Sequence, residues 1–553
     1  MSEPSAGASI ALGKARGLAA RYDLPLLLIL LLLTGLLRMW QIRHTEVTAT
    51  DGIAFIEYAW KLQHQPWGQV IREAPQHPGY PLAVWAVSIP VRHWLSGDLC
   101  DVMVLSAQLV SALASCLLVL PMFYLGRELF NRRVGFWGAA LFQCLPVAAR
   151  VMSDALSEAT FLLVSTVTLL LAVRALRSHS VLRFALCGVC GGLAYLVRPE
   201  GALSVAATGL VLLGAQGVRR WRQSWRRALT CVAALSVSAG VVASPYIALT
   251  GRITEKPTGK KILEMAQMEE SPTPGTGQRP SAVGGPLLGM LAVWYAPEKG
   301  QVHGGSIGWS LWALGTELTK GFHYVLWLPA LLGLYWNRRA FWEVPGVWVL
   351  VLLSLLQILV VLRVARVMGY LSERHVLILV LCGFYASMAA VQELPGRLLA
   401  LVQTLRGRTS TAAGGSAWWW GPQGVFSVLM LVGLAAFALP KTLQPLHAIH
   451  VGHRAAGKWL AEHTQPSDVV VDPFMWAGYY AGRVFQEGWM GSGPMVSSAR
   501  YVVLERPWKE IPSMPTLPQA ERLAALGRVV YDWHPPTAKF AEVQIYLVPA
   551  EKK

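Results

Sequence analysis

A chain of 553 residues that is 54% hydrophobic and only 14% charged falls far short of the about 25% charged residues of a soluble globular protein, which excludes a single water-soluble core and makes lipid the solvent. The net charge of +17 does not mark a nucleic-acid binder, because the cations lie in short clusters between apolar runs and not along one soluble face; no nucleic acid is expected as a partner. The cysteines form no disulfide framework: Cys116, Cys144, Cys187, Cys190, Cys231 and Cys382 fall inside apolar runs, and the C-x-x-C pair Cys187/Cys190 reads as packing thiols, not metal ligands.

Residues 1–23 read as a cytoplasmic tail carrying Lys14, Arg16 and Arg21 ahead of the apolar run 24–40. No small-x-small cleavage site follows, and the exit Arg38-Met-Trp-Gln-Ile-Arg43 sets an aromatic and cations at an interface, as in a retained signal anchor. Further spans are expected near 101–125, 136–149, 155–173, 184–196, 202–217, 229–247, 322–336, 344–362, 376–391 and 425–440, phased by cytoplasmic clusters at Arg127/Arg132/Arg133, Arg174/Arg177/Arg183, Arg219 to Arg227, Arg338/Arg339 and Arg397/Arg406/Arg408. That makes about eleven crossings, with the N-terminus inside and the C-terminus outside. The apolar stretch 79–95, interrupted by Pro81, Pro90 and Arg92, reads as a helix in the outer interface.

The expected architecture is therefore an all-α polytopic membrane domain over 24–440, with outer interfacial helices, followed at 441–553 by a small extracytoplasmic α/β domain with a helix at 454–463 and strands at 468–472, 501–505 and 542–548. Chemistry is sought in the outer regions: 41–97, the hinge 150–158, the basic loop 250–321 and the C-terminal domain. The last loop carries Arg252, Lys256, Lys260, Lys261 and Arg279, which suits an anionic partner.

In the first outer loop, Asp51 opens an amphipathic segment, 53–62. It reads either as a helix cap or as a general base at the membrane edge. His77 and Tyr80, in Gln76-His-Pro-Gly-Tyr-Pro81, open the interfacial helix, where a hydrogen-bonded helix-start histidine is the plainer reading. Asp154 and Glu158 are four apart and share a helix face at the outer mouth of a span. Carboxylates at that depth mark a functional site unless Asp154 caps the helix and Glu158 pairs with Arg150 or Arg198. Arg198-Pro-Glu200, and Arg374-His375 after Gly369-Tyr-Leu-Ser-Glu, place cations at outer span ends, where they either snorkel to headgroups or, with Lys260 and Lys261, clamp a phosphate.

An acid in the first outer loop, His-Pro-x-x-Pro at a membrane-edge helix, Ser153-Asp-Ala-Leu156 after the third span and Arg198-Pro-Glu-Gly201 after the fifth together resemble the GT-C membrane glycosyltransferases, in the branch of the dolichyl-phosphate-mannose protein mannosyltransferases and the lipid A aminoarabinose transferase. The resemblance covers roughly 24–391. It implies an inverting hexosyl or pentosyl transfer from a polyprenyl-phosphate sugar to a lipid, glycan or protein acceptor on the extracytoplasmic face; the Ala, Gly and Arg content points to a bacterial plasma membrane. Asp51 would activate the acceptor, Asp154 would match a second-loop acid, and Lys260, Lys261, Arg374 and His375 would grip the lipid phosphate. Such transfer is metal-independent or metal-assisted; no cofactor is required, and no residue set here calls for a divalent metal. Relatives commonly carry Asp-Glu in the first loop, whereas this chain has Asp51-Gly52, leaving one carboxylate there. A transporter or flippase for a lipid-linked or anionic substrate is the alternative, disfavoured because the charges collect at span ends and not at midplane.

Overall fold

The computed structural model describes residues 6–218, 221, 223–254, 306–339, 343–406, 422–466, 468–486, 501–506, 517–535 and 542–548. Lys260 and Lys261 lie outside the described residues.

In chain order the helices are α1 (Ala6–Arg43), α2 (Thr50–His64), α3 (Trp67–Glu73), α4 (Gly79–Trp94), α5 (Leu99–Leu129), α6 (Arg132–Cys144), α7 (Pro146–Val151), α8 (Glu158–Ser178), α9 (Val181–Val197), α10 (Ala202–Gly214), α11 (Trp225–Thr250), α12 (Ile307–Gly321), α13 (Trp327–Trp336), α14 (Pro345–Met368), α15 (Leu377–Leu405) and α16 (Pro422–Thr442). A helix stands at each of the eleven places where a span is expected. Among the described residues, seven are long and apolar enough to cross a bilayer: Asp23–Arg43, Leu99–Leu129, Glu158–Ser178, Trp225–Thr250, Pro345–Arg366, Glu373–Leu405 and Gly424–Thr442. The chain is thus a polytopic integral membrane protein. Shorter helices extend through breaks that the sequence explains. Pro146 cannot continue the α6 hydrogen-bond ladder, so α7 starts with it at its first turn.

Spans α15, α5 and α8 are the buried centre, 83%, 72% and 67% inside the protein over their apolar windows, whereas α11 is only 17% buried and lies on the outside of the bundle. The buried Arg38 stitches this centre together. Its guanidinium donates to Ser115 Oγ at 2.8 Å, Gln41 Oε1 at 2.7 Å, the Ala149 carbonyl at 3.1 Å and Gln143 Oε1 at 2.5 Å. Expected as an interfacial cation, Arg38 is instead 1% exposed. Five donors in a planar fork can be satisfied wholly by neutral acceptors when those converge from four helices.

At one end of the bundle, Asp23 pairs with Arg127 and, at 2.7 Å, with Arg132, while Glu128 pairs with Arg174 at 3.2 Å and with Arg177. At the other end lie α2 and α4. Helix α4 occupies the place of the expected interfacial helix.

Beyond Thr442 the chain forms α17 (Val451–His463), α18 (Trp476–Tyr480), α19 (Leu517–Ala524) and strands β1 (Val470–Val471), β2 (Tyr501–Arg506), β3 (Arg528–Trp533) and β4 (Glu542–Leu547). The sheet order is β1-β2-β4-β3, with β1 parallel to β2 and the other pairs antiparallel. Strand β3 was not among the expected strands. It is an edge strand, and its exposed Val529 and half-buried Tyr531 dilute the inside–outside alternation that marks a strand in sequence. This domain sits on the segment before α2 and on the start of α5. Trp476 Nε1 donates to the Thr48 carbonyl at 2.7 Å, Tyr479 Oη to the Cys100 carbonyl at 2.8 Å, and Arg454 grips both oxygens of Asp101 at 2.7 and 2.8 Å.

Candidate functional site

The end of the bundle under the C-terminal domain gathers the polar residues singled out in the sequence. Arg374 follows Ser372, whose hydroxyl caps a short 3-10 turn, Glu373–Val376, leading into α15; Ser372 and His375 form a reciprocal capping box. That turn aims the Arg374 guanidinium at Asp51, and the two form an ion pair, with Asp51 half exposed and Arg374 about a quarter exposed. Asp51 does not cap its helix. Ala49 holds the cap position and Asp51 sits in the first turn, where the helix dipole favours a negative charge.

Below this pair lies a cavity, open at its mouth, lined at its polar end by Glu158, Arg198, Glu200, Arg374 and His375, and along a mainly apolar wall by Phe161, Leu162, Gln357, Val360, Val361, Val364, Leu377 and Ile378. Arg198 caps α9 in extended conformation, and its guanidinium donates to Glu158 at 2.5 Å and approaches Glu200 at 3.5 Å. The turn back from α9 requires Gly201, because a Cβ there would stand 2.4 Å from the Tyr195 amide nitrogen. The second Glu158 oxygen, Oε2, is buried with no hydrogen-bond partner among the described residues. A cavity with cations at one end and branched aliphatics along its length suits an amphiphile with an anionic head.

Asp154 does not line this cavity. Its carboxylate is buried and accepts from the Ala49 amide at 3.2 Å, the Ala155 amide at 2.8 Å, Thr48 Oγ1 at 3.4 Å and His447 Nε2 at 2.6 Å. Burial opposes its charge, but His447 and the amide donors outweigh that and hold the carboxyl below the usual aspartate range. Asp154 therefore ties the start of α2, which carries Asp51, to the hinge before α8. The same close approach explains Gly52: a Cβ there would fall 2.7 Å from Thr48 Oγ1 and 2.9 Å from the Ala155 carbonyl.

His77 and Tyr80 sit elsewhere. His77 is buried, 3.3 Å from Thr254 Oγ1 through Nε2, with its ring 5.0 Å from Tyr195 and 4.7 Å from Tyr246. Tyr80 is fully buried and donates its hydroxyl to the Ala107 carbonyl at 3.0 Å. His447 was missed in the sequence. It lies beyond the last span and 293 residues from its partner, and only its left-handed backbone, φ 52°, sets it apart.

Residues 77–243 match the family described as dolichyl-phosphate-mannose-protein mannosyltransferase, a stretch running from His77 through the hinge and Arg198. No curated protein matches the chain by sequence. The fold is similar to that of ArnT from Cupriavidus metallidurans bound to undecaprenyl phosphate, with a TM-score of 0.51 and 15% identity over 94% of this chain and 97% of that one. The apo form of the same protein aligns with a TM-score of 0.51 and 15% identity over 95% and 98%. The Archaeoglobus fulgidus oligosaccharyltransferase, in complex with an inhibitory peptide and a dolichol-phosphate, aligns with a TM-score of 0.49 and 13% identity over 92% of this chain and 73% of its own. The fold is that of a GT-C membrane glycosyltransferase. Within that class the chain resembles the protein mannosyltransferase and aminoarabinose transferase branch.

Proposed function

We propose that the chain transfers a hexosyl or pentosyl group from a polyprenyl-phosphate carrier to an acceptor at the extracytoplasmic face, with inversion, and that Asp51 is the general base. The carrying observation is the contact between Asp51 and Arg374 at the mouth of the amphiphilic cavity. It puts a carboxylate able to deprotonate an acceptor next to a cation able to hold the leaving phosphate.

The chain's own residues supply each task such a transfer demands. Arg374 and Arg198 offer charge-assisted hydrogen bonds to a phosphate head, with the His375 ring beside them, and the aliphatic wall offers a bed for the first prenyl units. The leaving group departs as a lipid phosphate whose growing negative charge these cations stabilise. Glu158 holds Arg198 and acts as a positioning residue, as does Asp154 through the start of α2. The C-terminal domain, docked on Thr48 and Asp101, stands where an acceptor would approach. ArnT bound to undecaprenyl phosphate shares this fold and supports the choice of carrier. Incubation of the purified protein with undecaprenyl-phosphate sugars tests the reading: released undecaprenyl phosphate is expected, and its absence across hexosyl and pentosyl donors with lipid, glycan and peptide acceptors rejects it.

A further inference from the structure

The C-terminal domain holds a second cluster of chemistry-bearing side chains, separate from the membrane cavity. His450 closes the 3-10 turn Ala448–His450, His453 follows within α17, and Glu505 faces both from β2. Glu505 Oε2 stands 2.8 Å from His453 Nε2 and 3.2 Å from His450 Nδ1. The three donor atoms lie within 4.8 Å of one another.

We propose that His450, His453 and Glu505 form a zinc site that fixes the docked C-terminal domain. Two imidazoles and a carboxylate are a recognised zinc donor set, and ligands at about 2.0–2.2 Å around a tetrahedral ion stand about 3.3 Å apart, close to the spacing already present. The rings are held ready: His450 stacks on Trp476 at 4.3 Å and His453 lies 5.1 Å from the same indole. His450 is one-fifth exposed, which gives water access to a fourth position.

Hydrogen bonding alone leaves one side of the cluster unexplained. If a neutral His453 donates from Nε2 to Glu505, its Nδ1 becomes a lone pair, and that nitrogen is buried with no hydrogen-bond partner among the described residues. A metal on Nε2 would move the ring proton to Nδ1, in the field of the buried Asp472 carboxylate. The site would also brace the docking contacts, since Trp476 reaches Thr48 and Arg454, next to His453, grips Asp101.

The experiment uses the full-length protein in detergent, stripped by chelator and titrated with Co2+ as an optical probe, then with Zn2+. One equivalent of Co2+ is expected to bind with the visible absorption of a four-coordinate ion and to be displaced by Zn2+. Glu505→Gln is expected to abolish the signal. Failure of the parent protein to bind one saturable equivalent, or undiminished binding by a natively eluting Glu505→Gln variant, overturns the site. The titration needs no turnover, so it stands or falls independently of the proposed transfer.

Discussion

At the Asp51–Arg374 pair the base and the phosphate clamp neutralise each other until substrate enters. With the carboxylate half exposed, the pair is worth no more than about 1 kcal/mol, whereas a hydrogen bond to a charged group contributes roughly 1.5–3 kcal/mol. An entering phosphate can therefore take Arg374 and release Asp51 toward the acceptor. Two outcomes are expected. Asp51→Asn keeps the size and the first-turn position, so the protein should fold and bind donor while turnover falls about 10²- to 10⁴-fold; near-normal sugar transfer by a folded Asp51→Asn protein removes Asp51 from the mechanism. Arg374→Gln should raise the KM for the lipid-phosphate donor about 10- to 100-fold, in keeping with one lost charge-assisted contact; an unchanged KM would move the phosphate to Arg198. The Asp154 carboxyl gives a pH dependence. Its folded value is depressed, so its contribution to stability is present above the ordinary aspartate range and is lost as pH falls through that range. Unfolding midpoints in detergent should drop on acidification in the parent protein and less steeply in Asp154→Asn.

At the scale of elements, the site is assembled by three short segments docking on one another: the start of α2, the hinge before α8 and the turn before α15. Gly52 is where two of them touch. Gly52→Ala should cost about 1–3 kcal/mol through overpacking against Thr48 and Ala155, measurable as a lower unfolding midpoint. Gly52→Glu, which places a still larger side chain at the same contact, should reduce transfer and not raise it. Asp51, Asp154, Glu158, Arg198 and Arg374 were legible in the sequence because carboxylates and guanidinium groups at span ends are costly without a purpose. Their division of labour was not. Asp154 and Glu158 share a face by spacing, yet α8 begins only at Glu158, so Asp154 turns away toward Ala49 and His447. Contacts such as that of His447, reaching across most of the chain, leave no periodicity to read. The His450/His453/Glu505 cluster escaped for the same reason, because β2 brings the carboxylate from a distant segment.

For the whole molecule, the polytopic helical architecture could be read from hydropathy, since lipid demands long apolar helices whatever their packing, and three of the four C-terminal strands from their apolar runs. Orientation rests on charge and is the expectation with the widest consequence. The structure gathers Arg127, Arg132, Arg174 and Arg177 around Asp23 and Glu128, at the end of α5 away from Asp101, which holds the C-terminal domain. Helix α5 has 31 residues, and at 1.5 Å per residue it separates the two ends by roughly 46 Å, more than the about 30 Å hydrocarbon thickness. The ends therefore face different compartments. The arginine-rich end should be cytoplasmic by the positive-inside bias, which places the cavity mouth, Asp51 and the sheet outside. Single cysteines test this in a background lacking the native ones, at the exposed positions Glu462 in α17 and Arg226 in α11. In intact cells or spheroplasts, Glu462→Cys should react with a membrane-impermeant maleimide and Arg226→Cys only after permeabilisation. The reverse pattern would turn the molecule over, place the cavity on the cytoplasmic face and exclude an extracytoplasmic transfer.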